Sequence, residues 1–320
     1  MRNQNCSEVF LENLIDYAGL FPPANLSLTE AVTNYASYIN SEDNWMLGPF
    51  VLPVARINDI HVYENLFSSQ KPLLLSIVGR KSESEQEFVA QLKEDFAQIN
   101  SFMLNSVQWL RIEAFEAALP PIVPNIKFLE SISAEAAKLE MKVFCEVPLL
   151  KNQNWKKELT STLDQIASFN INKKNKLGVK LRTGGIQAEM FPSAEQVAFV
   201  LDLCRERNLA LKFTAGLHHP IRMFRNEVNT KMHGFLNIFL GGMLAYSNNL
   251  DEETIVEILS DENKAHFSIS HDRLSWRNFS MTSQEIKVLR KSSLCSFGSC
   301  SFVEPRDEFE ELIKQQEVIK

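Results

Sequence analysis

GVKLRTGG, residues 178–185, and LALKFTAGLHHP, residues 209–220, state one pattern twice: a short apolar run carries a lysine and then breaks at glycine. Side chains alternate between the two faces of a strand. Val179 and Leu181 therefore share one face, opposite Lys180 and Arg182. In the second run Leu211 and Phe213 lie opposite Lys212 and Thr214. A strand that is apolar on one side and cationic on the other does not suit a dry core, where an unpaired charge is expensive. It suits a strand whose outer side packs helices and whose inner side ends in a polar cavity. Two such strands, joined by a helical segment at 193–207, point to a barrel enzyme.

Outward from this pair, the rhythm of apolar run and helical segment continues in both directions. It predicts strands at 15–21, 50–56, 72–79, 107–115, 141–149, 177–185, 209–216 and 265–271. Helices are expected at 28–39, 58–67, 83–101, 126–139, 155–169, 193–207, 231–247, 251–260 and 282–292. Ser27 and Glu30 form a capping box at the start of the first of these. Eight alternations of strand and helix predict an α/β fold, the (β/α)8 TIM-type barrel. An open doubly wound sheet would place a glycine-rich fingerprint after its first strand, and DYAGLFPPA (16–24) is not one. The expected organisation is one barrel domain over residues 1–320. A helix in SEVFLENLI opens it, and the tail SFGSCSFVEP (296–305) folds back along the barrel edge.

Bulk properties narrow the function. The 320 residues are 45% hydrophobic and 23% charged, ordinary for a globular chain with a large core. A net charge of −7 and the lack of a basic, aromatic-interleaved block argue against a nucleic-acid partner. The five cysteines are odd in number and form no CxxC pair, which favours a reducing, cytoplasmic setting without a zinc signature. MRNQNCSEVF has no apolar signal core, and FLNIFLGGMLAY (235–246) is too short and glycine-rich to span a membrane. The 22 phenylalanines read as core filling.

Catalytic groups of barrel enzymes sit at the C-terminal ends of several strands. The polar residues predicted there are Arg56, Arg111, Glu113, Glu146, Lys180, Arg182, Lys212, Thr214 and the His271–Asp272 pair. Lys180 and Lys212 would be neighbours on adjacent strands. A second cation nearby lowers a lysine's pKa and turns it into an amine nucleophile for a carbonyl. The structural alternative pairs each lysine with Glu113 or Glu146 as an ion bridge. Those two glutamates are candidate general acid/base groups, or oxygen ligands for a divalent metal completed by His218 or His219. Gly184–Gly185 and Ala215–Gly216 are tight turns whose N–H groups are also placed to cradle an anion, with Arg182 beside them. His233 and Asn237, at i and i+4 in MHGFLN (232–237), either face the site mouth or serve helix-start capping. The serines and Cys300 of FGSCSF have no base at fixed spacing, so no nucleophile is assigned there.

KLRTGG and KFTAGL together resemble the class I aldolases of the deoxyribose-phosphate aldolase kind, over about forty residues at motif level. That resemblance implies a barrel with a Schiff-base lysine on strand six, here Lys180, and a second lysine on strand seven, here Lys212. Strand four departs from it, offering Arg111 and Glu113 where the family carries an aspartate. The wider pattern (DYAGLFPPA, KLRTGG, TAGLHHP, MHGFLN, GSCSF) also resembles a conserved bacterial family, to which no chemistry attaches.

The first functional expectation is a lyase acting on a small anionic carbonyl compound, with no cofactor. Lys180 forms the imine, Lys212 depresses its pKa, and Glu146 or Glu113 shuttles the proton. Arg182, the glycine turns at Gly184, Gly185 and Gly216, Thr214, His218, His219, His233 and Asn237 bind substrate. An alternative is a metal-dependent isomerase or lyase that uses Glu113, Glu146 and a loop histidine as ligands, with a lysine as base. A third is a barrel that binds a ligand without catalysis. On the predicted strands Arg111, Lys180, Arg182 and Lys212 outnumber Glu113 and Glu146, which favours an anionic partner.

Overall fold

The two lysine strands lie side by side. Val179 pairs with Leu211, Lys180 with Lys212 and Arg182 with Thr214 in parallel register. The computed structural model describes residues 5–104, 108–149 and 152–318. Its first seven strands are β1 (Ile15–Tyr17), β2 (Leu47–Pro53), β3 (Leu73–Val78), β4 (Leu110–Ala118), β5 (Lys142–Glu146), β6 (Leu177–Arg182) and β7 (Leu211–Thr214). Each pairs in parallel with the next, and helices return the chain between most of them. Then come an antiparallel hairpin, β8 (Met223–Arg225) and β9 (Thr230–Met232), and a three-stranded antiparallel sheet, β10 (Phe267–Ile269), β11 (Arg273–Trp276) and β12 (Phe279–Thr282). The last strand, β13 (Leu294–Ser299), closes the barrel in the order β1-β13-β7-β6-β5-β4-β3-β2. This is the (β/α)8 TIM-type barrel with a small sheet inserted before its closing strand.

The eighth barrel strand is therefore not 265–271. AHFSISH does alternate and does form a strand, but Phe267–Ile269 pairs antiparallel with Leu274–Trp276 outside the barrel. The closing strand comes instead from the stretch expected to be a tail. LCSFGS contains few aliphatics, which hides it from a reading based on apolar alternation. Its inner positions are small because neighbouring side chains already fill the space. Ser296 donates to Asp16 Oδ2 at 2.9 Å, and a Cβ on Gly298 would lie 3.2 Å from Thr214 Oγ1. Beyond it, the helix Val303–Val318 packs back over the N-terminal helix Cys6–Leu11, with the Phe309 ring stacked on Phe10 at 5.9 Å.

Strand four runs to Ala118 rather than ending at 115. Phe115 and Ala117 are buried on its outer side, and Glu116 points inward between them. The register against β3 slips by one residue, with Leu75 opposite Ile112 and Ser76 opposite Ala114. An extra residue of this kind changes which face the following side chains take. It separates Glu113, near the start of the strand, from Glu116, deep inside. The helix Phe235–Asn248 is buried from Phe235 to Ala245, as expected of a helix apolar all round. Among the described residues no helix is long and apolar enough to cross a membrane.

Candidate functional site

The barrel interior holds an unbroken line of alternating charge. Lys212 Nζ, on β7, lies 2.7 Å from Asp16 Oδ2 of β1 and donates to Glu116 Oε1 of β4. It also donates to Ser76 Oγ of β3 at 3.1 Å. Lys180 Nζ, on β6, sits 2.6 Å from Glu116 Oε2 and 2.7 Å from Glu146 Oε2 of β5. Arg182 Nε then donates to Glu146 Oε1 at 3.3 Å. Alternation explains the convergence: all of these residues but Arg182 are flanked along the chain by two buried apolar side chains, such as Ile15 and Tyr17 around Asp16.

The line is buried at one end and open at the other. Asp16, Glu116, Lys180 and Lys212 are each at most 3% exposed. The Glu146 side chain is 15% exposed and that of Arg182 is 38% exposed, at the C-terminal mouth. Burial alone would raise the Glu116 carboxyl, but Lys180 and Lys212 overturn this and hold it well below the usual carboxylate range. Burial likewise opposes the charge on Glu146, and Lys180 with Arg182 lowers its pKa all the same. Burial opposes the Lys212 ammonium too, yet Asp16 and Glu116 raise its pKa. Asp16 is the exception. Burial raises it, and the pull of Lys212 does not reverse that. Three cations thus face three carboxylates, so the cation excess expected from the sequence does not exist inside the barrel.

Of the expected catalytic residues, Lys180, Lys212 and Glu146 meet in this line, as does Arg182, but Glu113 does not. Glu113 pairs with Arg111 at the N-terminal end of the barrel. The residues also do not open on one cavity. Glu113 and Lys212 line a cavity of about 520 Å³ at the N-terminal end, whereas Glu146 lines one of about 270 Å³ at the C-terminal end. In the smaller cavity the buried Ser82 Oγ has no hydrogen-bond partner among the described residues. Sequence reading missed Asp16, Ser76, Glu116 and Ser296. Asp16 and Glu116 were detectable by alternation, each lying between two apolar residues of a predicted or extended strand. Ser76 was detectable in the same way, between Leu75 and Ile77 of a predicted strand, whereas Ser296 lies in the stretch read as a tail.

The expected substrate-binding residues divide. Gly184 and Gly216 back onto each other where the loops after β6 and β7 meet: a Cβ on Gly184 would lie 2.8 Å from the Gly216 Cα. Gly216 has φ +72°, which suits glycine. Thr183 Oγ1 pins this contact by donating to the Ala215 carbonyl at 2.6 Å. Gly185 packs against Met190, and Thr214 faces Gly298. Among the described residues, the N–H groups of Gly184, Gly185 and Gly216 donate to no backbone carbonyl.

The histidines pair with acidic side chains outside the lysine line. His218 Nδ1 is 3.2 Å from Glu304 and His219 Nδ1 is 2.9 Å from Glu308, both on the C-terminal helix. His219, Glu304 and Glu308 place ligand atoms within 4.8 Å of one another, the arrangement among the described residues that is spaced to hold a metal. Glu113 and Glu146 with a loop histidine are not brought together.

His233 and Asn237 do not share a helix face, because the helix begins at Phe235 and Gly234 is its N-cap. His233 is fully buried, bonding Arg222 at 3.0 Å and the Pro192 carbonyl at 2.7 Å. Burial, with Arg222 adding to it, pushes its pKa down to about 4. Asn237 accepts from the Arg222 N–H at 2.9 Å and donates to the carbonyls of Ile258 and Asp261, each at 2.8 Å. Both residues therefore tie the β8–β9 hairpin to the helices behind it. Asn237→Ala is expected to cost about 2–4 kcal/mol in urea unfolding, since it strands three backbone groups, one buried and two part-buried. Turnover per folded molecule should stay unchanged; a selective rise in KM would restore Asn237 to the substrate.

No protein-family model and no curated protein matches this sequence. Solved structures do. One is a D-tagatose 3-epimerase-like protein, at 10% identity and TM-score 0.44, covering 96% of this chain and 97% of that one. Another is a putative deoxyribose-phosphate aldolase from Toxoplasma gondii ME49, at 9% identity and TM-score 0.39, covering 97% and 96%. A third is a xylose isomerase domain protein from Alicyclobacillus acidocaldarius subsp. acidocaldarius, at 12% identity and TM-score 0.39, covering 95% and 99%. These likenesses are of fold; they assign no chemistry to this chain.

Proposed function

We propose that the protein is a lyase that cleaves a small anionic carbonyl compound through an imine on Lys180. The supporting observation is the position of Lys180 between two unlike carboxylates, the buried Glu116 that it shares with Lys212 and the mouth-facing Glu146. An imine-forming lysine needs a partner that takes its proton and gives it back, and Glu146 is placed to do so without leaving the mouth. The Lys180 ammonium passes a proton to Glu146, and the neutral amine adds to the substrate carbonyl carbon. The carbinolamine takes up a proton and loses water, giving an iminium. Glu146, its proton returned to the carbinolamine, takes the proton of the hydroxyl on the carbon beyond the bond to be cleaved. That carbon leaves as an aldehyde, and the electron pair of the carbon–carbon bond flows into the iminium, leaving an enamine. Protonation of the enamine carbon and hydrolysis return the free lysine.

Lys212 takes no covalent part in this reading. Held by Asp16 and Glu116, it remains an ammonium and fixes Glu116 beside Lys180. Arg182 and the N–H groups of Gly184, Gly185 and Gly216 lie on the same rim and would take the anionic group. Lys212→Met is expected to slow turnover and move its pH optimum upward, because losing a neighbouring cation makes an ammonium harder to deprotonate. An optimum that moves down, or stays put, removes Lys212 from the chemistry.

The direct test is borohydride trapping with a panel of phosphorylated and carboxylated aldehydes and ketones. One adduct per chain is expected, on the peptide carrying Lys180, and absent from Lys180→Arg. No adduct from any member of the panel, or an adduct on another lysine that survives Lys180→Arg, overturns the reading.

A further inference from the structure

The cavity of about 520 Å³ at the N-terminal end of the barrel has no part in the chemistry above. Its floor is the buried end of the ion line, Asp16 with Lys212, and its lining, floor included, carries six cationic side chains against three acidic ones. Not all of that charge is available. Arg290 spends its guanidinium on the carbonyls of Phe10, Glu12 and Leu294, at 2.9, 2.9 and 2.7 Å. Lys142 and Lys291, by contrast, are exposed on the rim and form no ion pair among the described residues. Arg111 stands with them, tied to its strand neighbour Glu113.

Two observations at the floor point to a ligand rather than a merely basic surface. Among the described residues Asp16 Oδ1 is buried without a hydrogen-bond partner, although Oδ2 takes both Lys212 and Ser296. A buried acceptor left in that state is costly, and a donor brought in by a ligand recovers the loss. Secondly, residue 48, also on the cavity wall, is glycine. A Cβ there would lie 2.0 Å from Asp16 Oδ1, a clash with the carboxylate itself, so only glycine leaves that oxygen in its place.

The geometry points to a second binding site here, for a phosphorylated short polyol. Its phosphate lies among Lys142, Lys291 and Arg111, and a hydroxyl donates to Asp16 Oδ1. A dianionic phosphate suits several cations better than a single carboxylate does. The volume is within the range of small-molecule sites. The site stands independently of the imine chemistry, because it lies at the opposite end of the barrel from Glu146 and Arg182.

Calorimetry on the full chain with glycerol 3-phosphate, inorganic phosphate and glycerol as probes tests this. Glycerol 3-phosphate is expected to bind at least about tenfold more tightly than inorganic phosphate, the difference being the hydroxyl on Asp16. The double variant Lys142→Glu/Lys291→Glu, at exposed positions and with an unchanged melting temperature, should lower that affinity by about tenfold or more. Arg182→Ala should leave it unaltered. Gly48→Ala, where its thermal melt shows it folded, should weaken glycerol 3-phosphate more than phosphate. Absence of binding overturns the proposal, as does equal affinity for phosphate. So does binding that survives the double variant, or that is lost in Arg182→Ala, which would move the anion to the other end of the barrel.

Discussion

Glu116→Leu is expected to destabilise the protein by roughly 3–5 kcal/mol, the largest loss from any single substitution in the barrel interior. Glu116 is the carboxylate that both buried lysines share. Without it, Lys212 keeps Asp16 and Lys180 keeps Glu146, but two ammonium groups face each other at low dielectric with nothing between them. The measurement is the urea midpoint at neutral pH. A loss below about 1 kcal/mol would mean that water or rearrangement neutralises the pair. The same carboxylate sets the acid limb. Its pKa in the fold is depressed, so its contribution is fully present above the ordinary carboxylate range. It is lost as the pH falls through that range and below. Glu116→Gln should therefore lie below the wild type at neutral pH and converge with it in acid. Asp16 works in the opposite direction, because burial raises its pKa and its ionised form is the one the fold disfavours.

Lys180→Met is expected to abolish turnover, by on the order of 10³-fold or more, with the fold retained. The fold is expected to persist at reduced stability: Glu116 keeps Lys212 and Glu146 keeps Arg182, although the two carboxylates then face each other with no cation between them. Methionine also preserves most of the volume. Circular dichroism and the melting curve separate this outcome from simple unfolding. A Lys180→Met protein that turns over at the wild-type rate removes the imine from the mechanism. A wild type silenced by a chelator alone would shift attention to His219, Glu304 and Glu308, the cluster spaced for a metal.

How far the sequence leads is set by how each residue announces itself. β6 and β7 were legible because a lysine inside an apolar run has few explanations, and their adjacency followed from the helix between them. β13 was not, because a closing strand squeezed between Asp16 and Thr214 carries serine and glycine inside, and a reading by apolar alternation sees a loop. Glu146, Lys180, Arg182 and Lys212 were found because they lie on strands of clear phase. Glu113 was placed inside for the same reason, and the one-residue slip against β3 took that place from it and gave it to Glu116. His233 and Asn237 illustrate another limit. Polar residues next to a helix start look alike whether they bind a substrate or the backbone, and here every polar atom is spent on the backbone or on Arg222.

The position of the closing strand has a consequence for how the chain is made. β13 lies between β1 and β7, yet it follows β7 by some eighty residues of hairpin, helices and antiparallel sheet. On a ribosome, the first seven strands are therefore complete long before the barrel closes. Throughout that interval β1 and β7 present unpaired edges, and Asp16 waits for Ser296. Open edges of this kind invite pairing with other chains. A nascent chain stalled just short of residue 294 would hold nearly every helix and strand of the mature protein and still be an aggregation hazard. Translation speed and chaperone access over this last stretch, more than over the lysine strands, should govern the yield of native protein.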